Sequence, residues 1–141
     1  MSHDSDVLNR LIGRLRAAAE GYRKAGADGP GLADAFAAPA AAQQEVAERL
    51  AAEVRALGGR PAEAVSDTRG AWAELPGAVA AGEQELASAV ERAEGELLSE
   101  FQAALDDPAV SGPVRDAVLR AFDPVKAGHD RALQRLDALG G

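Results

Sequence analysis

The chain has 141 residues, enough for one domain whose hydrophobic core needs no cross-link to stand. It contains no Cys, which excludes disulfides, thiolate chemistry and cysteine-ligated zinc. The formal net charge of -8 argues against binding to nucleic acid or to an anionic membrane. Ala is the commonest residue and aromatics make up only 4% of the chain, a composition that suits closely packed helices better than strands.

The first residues do not predict a secretory signal. They are polar and acidic, and they lack a basic segment followed by an apolar one. No uncharged apolar run approaches the roughly 18 residues that a membrane span requires. We therefore expect a cytoplasmic bacterial protein that neither crosses nor binds a membrane.

The first two predicted helices are separated by a short turn. Apolar residues at three- and four-residue steps predict a helix over residues 6–25, with Ser5 or Asp6 as its N-cap. Residues 28–31 (Asp-Gly-Pro-Gly) form a dense turn signal. A second helix is predicted over residues 32–57, and the turn makes the two an antiparallel hairpin.

Two features of the second helix set its expected limits. Leu57 falls on the apolar side of the helical wheel, and Gly58 follows it as a C-terminal stop. Pro39 lies inside the pattern, so either the main helix begins there or the helix is kinked there.

The second half of the sequence predicts another helical hairpin. Helices are expected over residues 82–105 and 112–139, and Pro124 should kink the last of them. The intervening residues 58–81 are too many for a tight turn and can travel the length of a bundle. Residues 67–75 of this crossover can form a short helix whose Trp72 packs against the bundle.

These connections predict an all-α domain over residues 1–141. Its architecture is a four-helix bundle of two antiparallel hairpins joined by a long crossover with a short helix. A crossover of this kind makes the second and third long helices parallel, which is the ferritin-like arrangement.

Several polar residues fall on or beside the inward faces of these helices. They are Glu20, Tyr22, Gln43, Glu53, Glu94 and His129. Because an unpaired buried carboxylate or imidazole costs several kcal/mol, we expect them to form a buried polar network. Within it, His129 is expected to hydrogen-bond to Glu20 or Tyr22, and Glu53 to meet an Arg or water.

A metal is the other partner that such groups could have. A di-iron centre in a four-helix bundle needs a Glu-x-x-His from each of two helices, and the sequence contains none. Folding the second hairpin about residue 109 also separates His129 from Glu94 by about 9 Å along the bundle. No cofactor is therefore expected, and iron or another divalent metal on Glu20, Glu94 and His129 is kept as the alternative.

The sequence also resembles a known family. The segments that carry the resemblance are Glu20-Gly21-Tyr22, Leu50-Ala51-Ala52-Glu53-Val54, Gly70-Ala71-Trp72, Glu91-Arg92-Ala93-Glu94 and Val125-Lys126-Ala127-Gly128-His129-Asp130. In this order they resemble an uncharacterised bacterial family of ferritin-like four-helix bundles, catalogued as a domain of unknown function. The resemblance implies a ferritin-like fold and no established reaction.

Two classes of function remain open from the sequence. The first, which the incomplete ligand set favours, is a non-catalytic bundle that acts through self-association or a protein partner. The second is a degenerate ferritin-like site for a divalent metal. Nucleic-acid and membrane partners are not expected.

Overall fold

The computed structural model describes residues 2–63 and 70–140 of the chain. All the regular secondary structure of these residues is helical, so the predicted all-α class is confirmed. The five helices are α1 (His3–Ala27), α2 (Leu32–Ala56), α3 (Ala71–Val79), α4 (Glu83–Asp106) and α5 (Gly112–Ala138). None of these helices combines the length and the apolar composition that a membrane span needs.

The four long helices form a bundle of two hairpins. α1 packs on α2, α4 packs on α5, and the hairpins meet through contacts of α1 with α4 and of α2 with α5. The start of α1 lies at the turn between α4 and α5, where Asp4 Oδ1 accepts a hydrogen bond from Ser111 N (3.0 Å). Because α1 is thus antiparallel to both α2 and α4, helices α2 and α4 run parallel to each other.

The beginning of α1 differs from the prediction. The helix begins at His3, and its N-cap is Ser2, whose hydroxyl accepts a hydrogen bond from Ser5 N at 3.0 Å. The prediction of Ser5 or Asp6 as the N-cap was wrong. Ser2 caps the free backbone N–H groups at the start of α1, so the helix begins three residues earlier than predicted. Ser5 is instead buried within the first turn.

α2 and α5 each continue through a proline. Pro39 lies inside α2, which begins at Leu32, and Pro124 lies inside α5. The prediction that Leu57 faces inward was wrong. Its side chain is 46% exposed because α2 ends at Ala56 and the chain turns away there.

The short helix α3 packs against α1 and α4. Trp72 is 5% exposed, and its ring lies over Gly21 of α1, so Trp72 packs against the bundle as predicted. The backbone N–H of Ala71 donates to the Glu96 carboxylate (3.2 Å), which fastens the start of α3 to α4. The sequence placed the short helix over residues 67–75, whereas α3 ends at Val79; residues 64–69 lie outside the described residues.

One hydrophobic core runs through the bundle. Its largest buried side chains are Phe101, Leu8, Leu11, Ile12, Leu15, Leu50, Leu75 and Leu97. Many of the buried positions between them are Ala, which lets helices approach closely. Besides the aromatic Tyr22 and Trp72, the polar side chains buried among the described residues are Ser5, Gln43 and Glu94. Two of the three meet at the site described next.

Candidate functional site

A buried carboxyl group lies at the centre of the bundle. Glu94 of α4 is 2% exposed, and its Oε1 accepts a hydrogen bond from Gln43 Nε2 of α2 at 2.7 Å. Tyr22 of α1 lines the same cavity as Glu94, and its hydroxyl lowers the pKa of this carboxyl. Three of the four long helices therefore contribute one polar side chain each to a single cluster, which we call the Glu94 cluster.

The fourth long helix approaches Glu94 through a glycine. A Cβ added at Gly128 of α5 would overlap Glu94 Oε2, so the carboxyl occupies the space that a side chain would fill. The local cause is that Gly128 lies between Val125 and Ala132 on the buried face of α5. A larger residue at this position would force Glu94 out of its place.

The environment of Glu94 changes its acidity. Burial raises the pKa of Glu94 from 4.5 to about 7, and nearby Arg131, Tyr22, His129 and Gln43 oppose that shift only in part. Burial, followed by the nearby Glu94 charge, also raises the pKa of Tyr22 above its ordinary value. The phenol therefore stays neutral beside a carboxyl that changes protonation near neutral pH.

His129 pairs with a residue that the sequence reasoning did not single out. Its Nε2 lies 2.9 Å from Glu91 Oε2, and the two side chains are 18% and 25% exposed. The expected hydrogen bond from His129 to Glu20 or Tyr22 was wrong. Glu91 lies one turn before Glu94 on α4, and its carboxylate lies next to His129 of α5.

The predicted separation of Glu94 and His129 along the bundle was also wrong. Glu94 lies against Gly128, the residue that precedes His129, and the His129 charge acts on Glu94. The centre of the α4–α5 hairpin, judged from the residues that face each other, lies two to three residues after the assumed turn at residue 109. A shift of that size moves the facing residue on α5 by about one helical turn.

The remaining predicted network residues lie apart from the Glu94 cluster. Glu20 lies within 4 Å of Arg23 and Lys24 on its own helix. Glu53 lies 3.7 Å from Arg120, in agreement with the expected Arg partner. Of the six residues, the structure brings Tyr22, Gln43 and Glu94 together.

Within residues 2–63 and 70–140, no group of three His, Asp or Glu side chains is arranged to hold a metal ion. The combination of Glu20, Glu94 and His129 is therefore not assembled as a ligand set. Each of the three has its own hydrogen-bond or ion-pair partner.

Aromatic side chains hold one end of the cluster in place. The Tyr22 ring lies 5.1 Å from Trp72 in an edge-on arrangement and 5.3 Å from Phe36 in a tilted one. Sequence reasoning placed Trp72 on the bundle without identifying Tyr22 as its partner. The signal in the sequence is Gly21, the residue before Tyr22, because a glycine at this position leaves room for the Trp72 indole.

A second feature is the surface of the first turns of α2. None of residues 32–39 is buried, although Asp34 is their only polar side chain. A groove of about 700 Å³ separates this part of α2 from the end of α1, and we call it the α1–α2 groove. Its lining includes Ala33, Phe36, Ala37, Ala40 and Ala41, together with Arg23, Gln44, Glu45 and Glu48. Exposed apolar surface of this kind is typical of an interaction site.

Comparison with known proteins identifies the family. A family model described as a domain of unknown function (DUF2383) matches residues 4–107. The chain belongs to the DUF2383 family. The expectation of an uncharacterised domain family is thereby confirmed.

The DUF2383 match covers α1 to α4 and therefore Tyr22, Gln43 and Glu94. Gly128 and His129 of α5 follow the matched residues. No curated protein and no solved structure matches the chain significantly.

Proposed function

We propose that this DUF2383 chain is a non-catalytic helical bundle with a ferritin-like arrangement that acts by associating with a second copy of itself. The two antiparallel hairpins, with α2 and α4 parallel, support the ferritin-like arrangement. The observation that carries the proposal of association is the unburied apolar surface of residues 32–39 beside the α1–α2 groove.

The composition of this surface suits helix-to-helix contact. Ala33, Ala37 and Ala41 recur at four-residue steps, so they lie in one row along α2, and Ala33 and Ala37 are exposed. Small side chains in such a row let a second helix come close. The groove beside the row provides a concave surface into which that helix can pack.

The charges around the groove favour a second copy as the occupant. Arg23 lies on the α1 side of the groove, and Glu45 and Glu48 lie on the α2 side. If two α2 helices pair antiparallel about Ala37 and Ala41, Arg23 of each copy comes to lie near Glu45 of the other. An isologous two-fold contact therefore places opposite charges together twice.

Analytical ultracentrifugation over a hundredfold dilution tests the proposal. The expected result is a concentration-dependent dimer for the native chain and a monomer for Ala37→Glu, which buries a charge at the centre of the contact. Ala52→Glu is the matched control, since Ala52 is an exposed residue of α2 outside the groove, and it should dimerise like the native chain. A native chain that is monomeric throughout, or an Ala37→Glu variant that still dimerises, would contradict the proposal.

Divalent-metal binding by Glu20, Glu94 and His129 stays a prediction. Glu20 would have to leave Arg23 and Lys24 to join such a site. Metal analysis after aerobic addition of Fe(II) tests it. Stoichiometric iron that is lost in His129→Ala would support metal binding, and less than one metal per chain would count against it.

A further inference from the structure

Two cavities lie side by side between α2, α4 and α5. The inner cavity has a volume of about 170 Å³, and its lining includes Glu94, Gln43 and Arg131. The outer cavity has a volume of about 320 Å³ and extends to Glu83 near the start of α4. The residues that line both cavities are Ala35, Phe36, Val90, Ala132 and Arg135. The two cavities are therefore neighbouring parts of one space, which we call the passage.

Much of the passage wall is apolar. It includes Leu32 and Phe36 of α2 together with Leu86 and Val90 of α4, and all four side chains are only partly buried. Contact with an apolar ligand removes the remaining surface of such side chains from water, which favours binding. This part of the passage therefore suits an alkyl chain.

Two arginines of α5 bring positive charge to the passage. Arg131 and Arg135 both line the inner cavity, and Arg135 lines the outer cavity as well. They are four residues apart, so they lie one helical turn apart on the same side of α5. Within residues 2–63 and 70–140, neither arginine forms an ion pair with a carboxylate. Two neighbouring guanidinium groups in this state favour an anion between them.

The Arg131 side chain reaches past Gly128 towards Glu94. Its Nη2 lies 3.8 Å from the position that a Cβ of Gly128 would take, and the Glu94 carboxyl overlaps that same position. The positive charge of Arg131 is accordingly the strongest influence that opposes the rise in the pKa of Glu94. A ligand carboxylate at this end of the passage can accept hydrogen bonds from the guanidinium and from the Glu94 carboxyl in its protonated form.

The acidic residues of the passage set the direction and the charge of an anionic ligand. Glu83 is exposed at the outer end, so it repels an anionic head group there and favours its placement at the inner end. Because Glu94 lies at the inner end, a head group with two negative charges, such as a phosphate, is disfavoured relative to a carboxylate. The planar carboxylate also matches the paired N–H donors of a guanidinium.

We propose that the passage binds an aliphatic monocarboxylate, whose carboxylate lies between Arg131 and Arg135 at the inner end and whose alkyl chain lies along the apolar wall. The two guanidinium groups and the protonated carboxyl of Glu94 donate hydrogen bonds to the ligand carboxylate. The alkyl chain extends past Phe36 and Leu86 towards the outer cavity. Binding at this site does not require self-association at the α1–α2 groove.

Calorimetry or NMR titration with sodium hexanoate at about pH 6 tests the site on the native chain. Hexanol and hexylammonium, which have the same alkyl chain and a neutral or positive end, are the comparison ligands. The expected result is that hexanoate binds at least about tenfold more tightly than either, because only it forms charge-assisted hydrogen bonds with the two arginines. Affinity should also rise about fourfold per added methylene from butanoate to hexanoate.

Arginine variants locate the head group of the ligand. Arg131→Gln and Arg135→Gln should each weaken hexanoate binding by about tenfold or more. Arg120→Gln is the matched control, since Arg120 is an exposed arginine of α5 that lines neither cavity, and it should bind like the native chain. All three arginines are exposed, so these substitutions leave the hydrophobic core unchanged.

The pH dependence of binding tests the contact with Glu94. The ionisable groups around this carboxyl are Tyr22 of α1, His129 and Arg131 of α5, and Glu91 one turn away on α4. Because the pKa of Glu94 is about 7 and its ionised form repels the ligand, hexanoate affinity should fall about tenfold from pH 6 to pH 8. Hexanoate itself stays ionised over this range. Glu94→Gln carries no charge, so it should lose most of this fall and bind hexanoate more tightly than the native chain at pH 8.

Four results would each overturn the proposal. They are no binding of hexanoate to the native chain, equal or tighter binding of hexanol or hexylammonium, unchanged binding in either Arg131→Gln or Arg135→Gln, and a native affinity that does not change with pH. The comparison of the three ligands needs no variant, so the test remains decisive if a substitution impairs folding.

Discussion

Replacing Glu94 by Gln should stabilise the protein at neutral pH and remove part of its pH dependence. Burial raises the pKa of Glu94 to about 7 in the folded protein, against about 4.5 in the unfolded chain. Below pH 4.5 the carboxyl is protonated in both the folded and the unfolded state, so its ionisation does not lower the free energy of unfolding. As the pH rises towards 7 the unfolded chain loses this proton first, so the free energy of unfolding falls. Above pH 7 both states are ionised and the loss stays constant.

The size of the effect follows from the difference between the two pKa values. A difference of about 2.5 corresponds to about 3 kcal/mol, most of it lost between pH 5 and pH 7. Glu94→Gln keeps an oxygen that accepts from Gln43 and carries no charge. At pH 8 the variant should therefore be more stable than the native chain by roughly 2 to 3 kcal/mol, and at pH 4.5 the two should be nearly equal.

Urea unfolding of both proteins at several pH values between 4.5 and 8 measures this difference directly. Subtracting one curve from the other removes the contribution of all other groups, such as Asp4, whose pKa is lowered mainly by its hydrogen bond with Ser111. Glu85→Gln is the control and should keep the native pH dependence, since Glu85 is exposed near the start of α4 and lies away from the Glu94 cluster. A difference between native and Glu94→Gln that does not change with pH would refute the reasoning.

The glycines around the cluster give further predictions. Gly128→Ala should destabilise the protein by about 2 to 4 kcal/mol in urea unfolding, because its Cβ would overlap the Glu94 carboxyl. Gly95→Ala is its counterpart on α4; its Cβ would meet no atom closer than 3.5 Å, so the helix should gain about 0.5 to 1 kcal/mol. Gly21→Ala would put a Cβ 3.1 Å from the Trp72 ring, and thermal unfolding should show a loss of about 1 to 2 kcal/mol. Equal effects of Gly128→Ala and Gly95→Ala would show that Glu94 does not lie against α5.

The helices and their pairing could be predicted from the sequence because they depend on local signals. The turn at residues 28–31 and the glycine after Leu57 mark ends that need no knowledge of the rest of the fold. The exposure of Leu57 could not be predicted from such local signals. A helical wheel assumes that the helix continues through every residue of the pattern, whereas α2 ends at Ala56 and Leu57 lies beyond its last turn.

The site was only partly predictable, for a similar reason. The inward position of Glu94 follows from the helical period of α4, and Gln43 lies on the corresponding face of α2. The partner of His129 depends on how α4 and α5 meet, and a shift of two to three residues changed it from Glu20 or Tyr22 to Glu91. The presence of Gly128 beside a buried face was the available signal, because it marks where another group comes close to the backbone.

The measurement that tests the central claim most directly is the titration of Glu94 itself. Carbon-13 NMR of the glutamate side-chain carboxyls, with the Glu94 signal assigned by its absence in Glu94→Gln, reports its protonation as a function of pH. The structure predicts a midpoint at about pH 7, set by burial among Tyr22, Gln43 and α5. A midpoint near 4.5 would show that the carboxyl reaches solvent, and it would contradict the buried Glu94 cluster.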